Sequence, residues 1–220
     1  MATLIRSIRR LLLIAAVGLS AQANASLTYN TWSSNDAATG NYVLSIEHVG
    51  SNFIYNLTVN PWNAEALGIF FDLGNVAIGS TGFSNLNAAA PVQLYAKDTG
   101  SSTCGSGCNL NGLALPALVG GDWELVFRLG GGGFDGLQSF SWKTSDFGLT
   151  ESAFGLVGVR AQQLCSGSST LVTGTAGCSG SDKAYGYATP AIEEIPEPGA
   201  LALAALALLS LAGLRSRKAR

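Results

Sequence analysis

Four cysteines, one histidine, a few carboxylates and four tryptophans are the residues in this chain whose types could do chemistry. The cysteines stand as Cys104-Gly-Ser-Gly-Cys108 and Cys165…Cys178. As zinc ligands they would need a repeated short pair or several histidines. The spacings instead have three and twelve residues between partners, and His48 is the only histidine. Disulfides are the expected state. Three pairings are open, and Cys104–Cys108 with Cys165–Cys178 is the favoured one, because each closes a Gly/Ser-rich loop. The glycines of the first let the chain bend tightly. The separation in the second is near the loop length at which chain entropy gives about 3 kcal/mol.

Nucleophilic catalysis needs a base, and His48 sits at the end of an alternating segment beside Glu47 and Val49, with no serine or cysteine elbow nearby. It reads as a polar strand-end residue, and no catalytic residue is assigned. Gly105-Ser106-Gly107 and Gly130–Gly133 lack the lysine and following helix of a phosphate loop, so they read as turns. Asp122 and Glu124 are spaced to share the polar face of one strand, about 7 Å apart, which suits paired acid and base roles on a glycoside. Acids on the solvent face of an acidic β protein are the plainer expectation. Asp98, Asn109, Asn111 and Asp122 surround the Cys104–Cys108 loop and could offer oxygens to calcium, but no EF-hand-type loop accompanies them. No metal and no cofactor is assigned. Trp123 and Trp142 fall in step with apolar strand residues and are expected in the core. Trp32 and Trp62 lie in Ser/Asn/Pro-rich segments and are the candidates for stacking on a sugar ring.

The elements that must position these residues are short strands. Tyr42–His48 alternates apolar and polar residues, Gly50-Ser51-Asn52 interrupts it, and Phe53–Val59 alternates again, the pattern of a β-hairpin. Trp123–Leu129 and Leu137–Lys143 look like a second pair across Gly130–Gly133. Leu27–Tyr29, Leu67–Leu73, Val92–Ala96, Ala153–Gln162 and Lys183–Ala188 complete the set. No stretch of residues 26–190 has a capped helical period. The expectation is an all-β fold: a single antiparallel β-sandwich or jelly-roll-like domain over residues 26–190, with a closed barrel as the alternative.

The 220 residues include 28 glycines and only 12% charged residues, about half the usual charged fraction. Between Ser26 and Pro198, five basic residues stand against fourteen acidic ones, a net charge of −9. No nucleic-acid partner is expected, because the body lacks the cations to neutralise a phosphate backbone. The remaining cations sit at the two ends. Met1–Ala25 reads as a signal peptide: Arg6, Arg9 and Arg10, then apolar Leu11–Leu19, then Ala23-Asn24-Ala25 as the small-x-small site for signal peptidase, leaving Ser26 as the new N-terminus. Gly199–Leu214 is sixteen uncharged residues. As a helix it would span about 24 Å, enough to cross the inner membrane with local thinning. Arg215, Arg217, Lys218 and Arg220 follow, and the positive-inside rule puts this basic tail in the cytoplasm and the body on the periplasmic side.

Between body and helix, residues 191–198 form a linker ending in Pro196-Glu197-Pro198, where two prolines hold one carboxylate on an extended, accessible peptide. This motif, the apolar span and the terminal Arg/Lys cluster together resemble the PEP-CTERM sorting signal of Gram-negative bacteria. The resemblance covers residues 195–220. It implies export, membrane retention and processing by a membrane-embedded exosortase, then release to the cell surface or extracellular matrix, with exopolysaccharide as a partner. The expected function is that of a non-enzymatic exported surface or matrix protein. A carbohydrate-binding module and a small carboxylate-dependent glycoside hydrolase are the alternatives.

Overall fold

Alternation becomes strand wherever the sequence shows it. The structure, a computed structural model, describes residues 26–131, 133–166 and 177–190. Its strands are Ser26–Tyr29 (β1), Ser33–Ser34 (β2), Tyr42–Val49 (β3), Asn52–Val59 (β4), Glu65–Phe71 (β5), Ser84–Asn85 (β6), Val92–Thr99 (β7), Trp123–Leu129 (β8), Ser139–Ser145 (β9), Leu156–Cys165 (β10), Cys178–Tyr187 (β11) and Thr189–Pro190 (β12). The one helical element described is a 3-10 turn at Glu151–Ala153. Among the described residues no helix is long and apolar enough to cross a membrane. Gly199–Leu214 lies outside them.

The strands form two antiparallel sheets. The first has the order β12-β1-β3-β4-β9-β6 and the second β2-β11-β10-β5-β8-β7. They face each other across one core: Leu44, Ile46 and Leu57 from the first sheet meet Ile69, Leu125 and Val159 from the second. Aromatic rings fill its centre. Tyr55 stacks on Trp142 at 5.1 Å, and Phe154 stands edge-on to Phe53 at 4.8 Å. Such pairs add about 0.5–1.5 kcal/mol each beyond the area they bury. The first expected hairpin is present, with Val49 opposite Asn52 across the Gly50-Ser51 turn.

The second expected hairpin is not. β8 pairs with β5 and β7, whereas β9 lies in the other sheet beside β4. Both strands carry an apolar face, and the Gly-rich connection lets the chain cross the sandwich so that these faces meet. Phe127 and Trp142 accordingly meet across the core from opposite sheets, with ring centroids 5.4 Å apart and planes tilted by 52°.

The second sheet has a further apolar layer on its outer face. Residues of the β7–β8 connection, including Cys104, Cys108, Leu110 and Leu113, cover Leu67, Phe70, Val126 and Leu156. β5 is therefore buried on both faces, which explains why it reads as a continuous apolar run. Two glycines make room for this cover. A Cβ on Gly68 would stand 2.2 Å from Cys104 Sγ, and one on Gly158 would stand 2.5 Å from Leu110 Cδ1. Trp123 packs in this outer layer, not with Leu125, Phe127 and Leu129, which correct the single face expected for all four.

Candidate functional site

The carboxylates singled out in the sequence do converge. Asp98, Asp122 and Glu124, with Asn75, Val76, Ala77 and Gly120, line a recess of about 160 Å³ beside the start of β8. Asp122 is exposed there, but Glu124 is only 2% exposed, so the two do not share a solvent face. The Glu124 carboxylate is drawn inward to the backbone of the segment that follows β5. Glu124 Oε2 accepts the Leu73 N–H at 2.7 Å. Burial pushes its carboxyl up to about 7, Asp72 and Asp98 push the same way, and the Leu73 hydrogen bond opposes them. A carboxyl protonated near neutrality beside an exposed aspartate is a charge arrangement a general acid could use. Here, however, the backbone already claims the oxygens. Asp98 accepts Ile78 N–H with Oδ1 and Oδ2 at 2.9 and 3.1 Å, and Lys97 Nζ donates to the Ile78 and Gly79 carbonyls.

The same use of acids recurs elsewhere, at residues the sequence did not mark. Asp72 accepts from Gly74 N and Val119 N. Glu65 accepts from Asp135 N at 2.6 Å and from Gln162 Nε2 at 2.7 Å, while burial pushes its carboxyl upward. Asp182, fully buried, accepts from Ser34 Oγ, Thr39 Oγ1, Gly40 N and Tyr42 Oη. Each of these carboxylates ties down loop backbone in a chain rich in glycine. For Glu65 and Asp72 the signal that could have found them is their place at the two ends of the apolar run of β5, whereas Asp182 stands in a polar stretch.

Asn109 and Asn111 follow the disulfide-closed loop and are not among the residues lining the recess, so the calcium set of the sequence reading is not assembled. Among the described residues, no group of three or more His, Cys, Asp or Glu side chains has the geometry to hold a metal ion. His48 lies between two carboxylates, with Nε2 3.3 Å from Asp146 and Nδ1 3.3 Å from Glu151, over the ring of Phe53. No nucleophile accompanies it in these contacts. It ties the end of β3 to the β9–β10 connection.

Of the four tryptophans, Trp123 and Trp142 are fully buried, as their strand positions predict. Trp32 and Trp62 are half-buried. Trp32 packs against the core, stands edge-on to Tyr42 at 5.7 Å and donates from Nε1 to the Tyr42 carbonyl at 2.8 Å. Trp62 rests on Cys165 and Cys178 and lies nearly parallel to Phe134, 5.9 Å away and 16° from coplanar. Phe134 is 38% exposed, so this pair presents aromatic surface outward. Phe134 was hidden in the sequence by its Gly-rich surroundings.

The cysteines pair locally, Cys104 with Cys108 and Cys165 with Cys178. The signal-cleavage residues Ala23 and Ala25, the motif Pro196, Glu197 and Pro198, and the basic tail lie outside the described residues. What the geometry defines is a two-sheet antiparallel sandwich, closed by two local disulfides and braced by buried carboxylates. No family model, no curated protein and no solved structure matches the chain.

Proposed function

We propose that this protein is a non-enzymatic exported β-sandwich, retained at the inner membrane by its C-terminal segment and then delivered to the cell surface or extracellular matrix. One observation carries the reading: both cysteine pairs close as disulfides, Cys104–Cys108 and Cys165–Cys178, which suits an oxidising compartment outside the cytoplasm. In the recess Glu124 and Asp98 are occupied by backbone N–H groups, which favours a structural role for these two.

In this reading Pro196-Glu197-Pro198 is the signal for an exosortase-like enzyme, and the basic tail holds the orientation. Glu197→Ala, or serine in place of Arg215, Arg217, Lys218 and Arg220, leaves unprocessed chain in the inner-membrane fraction. Equal release of wild type and variants into the medium would overturn the assignment.

A further inference from the structure

Three of the five basic residues between Ser26 and Pro198 fall in one register row of the second sheet. Lys183 lies opposite Arg160, Arg160 opposite Gly68, and Gly68 opposite Arg128. Residues in one row point to the same face, and neighbouring strands are about 4.8 Å apart. The inward neighbours Val159, Phe127 and Ala184 belong to the inter-sheet core, so the row lies on the outer face, where the Cys104–Cys108 loop sits over Gly68 and separates Arg128 from Arg160 and Lys183. None of the three cations forms an ion pair with a carboxylate among the described residues. Arg128 donates to the Ser106 carbonyl, Lys183 to the Asn111 carbonyl, and Arg160 Nη1 to the Asp182 carbonyl, while the buried Arg160 Nε has no hydrogen-bond partner among the described residues. Burial lowers the pKa of Arg160, Arg128 adds like-charge repulsion, and Tyr42, Asp182 and Asp36 act against both. Asp182 is fully buried and held by four donors, which leaves Asp36 as the exposed acid in that neighbourhood.

Along β11 the same face continues with Tyr185 and Tyr187, two and four residues beyond Lys183. Their rings are 6.5 Å apart and nearly perpendicular, and Tyr187 is 54% exposed. Tyr185 is half-buried against the outer apolar layer, so cations without carboxylate partners next to the one exposed ring, Tyr187, combine charge attraction with a stacking surface.

We propose that this face binds an acidic polysaccharide, with a sugar ring against Tyr187 and successive carboxylates on Lys183 and Arg160. The proposal names a ligand class for the extracellular role above and rests on that role for its setting. Three cations are too few to hold a nucleic-acid backbone of the kind that makes six to ten phosphate contacts. An acidic peptide would gain affinity by adding a strand at the sheet edge, but β2 already pairs with β11 at Tyr185 and Ala184. Tyrosine faces add nothing that such a peptide requires, and they are well suited to the apolar side of a pyranose.

The test uses the full chain in detergent, disulfides intact, in a background of Arg215→Ser, Arg217→Ser, Lys218→Ser and Arg220→Ser so that the tail cations do not contribute. Polygalacturonate, neutral dextran and poly-glutamate are titrated by calorimetry. The expected result is polygalacturonate binding that weakens with salt, falls about tenfold or more in Arg160→Gln/Lys183→Gln, and falls again in Tyr187→Ala, with dextran not bound. Tyr187→Ala, at an exposed position, serves where the double variant fails to fold. Unchanged polygalacturonate affinity in the folded variants overturns the proposal, as does poly-glutamate binding equally well, which would mark the row as an acidic-peptide surface. Because binding is measured on purified chain, failure here leaves the export reading intact. Failure of the release experiment, in turn, leaves this measurement valid.

Discussion

Tyr42 Oη donates to Asp182 Oδ2 at 2.8 Å, joining residues 140 positions apart inside the sandwich. Tyr42 comes from the first sheet and Asp182 from the second, so this hydrogen bond bolts the two layers together and also holds the loop at Thr39 and Gly40. Bonds to a buried carboxylate are worth about 1.5–3 kcal/mol. Tyr42→Phe should therefore lower unfolding free energy by about that amount in urea titration. Tyr95→Phe, at a 47% exposed ring, should stay within about 0.5 kcal/mol of wild type. Equal stabilities for the two variants would deny the bond its role.

The disulfide cover makes a second prediction. A methyl group on Gly68 would meet Cys104 Sγ at 2.2 Å and Cys108 Sγ at 2.6 Å, and no strand-interior rearrangement opens that space cheaply. Overpacking of this kind costs about 1–3 kcal/mol. Gly68→Ala should show that loss, and it should shrink in a Cys104→Ala/Cys108→Ala background, where both sulfurs are gone. Strict additivity in this double-mutant cycle would mean that the loop does not sit on β5.

The parts of the fold that were legible in the sequence are those governed by local period. Tyr42–Val59 shows both its strands and its turn because every second residue faces one core and two residues suffice to reverse the chain. Trp123–Leu129 and Leu137–Lys143 show their strands but not their partner, since alternation says which face is apolar and nothing about which sheet it joins. Gly68 and Gly158 look like weak points in strands until a covering loop is placed above them. The acids misled for a related reason. Glu124 looked like a solvent-face acid by alternation, yet it is buried and its carboxylate accepts the Leu73 N–H, a partner 51 positions away that alternation does not show. Asp182 gave no sign at all, because its four donors come from residues more than a hundred positions away and Tyr42 among them looked like an ordinary core residue.

Glu124 offers a check of a different kind, on its own burial beside Leu73. Its folded-state value of about 7 lies above the ordinary 4.5. The native state therefore holds a proton that the unfolded chain has released, and deprotonation favours unfolding across that window. The contribution is fully present below about 4.5 and is lost as pH rises towards 7. Glu65, also pushed up by burial, acts in the same direction, whereas Asp146 is held low by the Gly148 N–H and by His48 and acts in the opposite sense at more acidic pH. Glu124→Gln keeps an oxygen to accept the Leu73 N–H and cannot ionise, so subtracting its profile from wild type cancels those other groups. Thermal unfolding measured from pH 4.5 to pH 7.5 should show Tm of wild type falling relative to Glu124→Gln over the upper part of the range. Parallel curves would place Glu124 in water and deny it the Leu73 N–H.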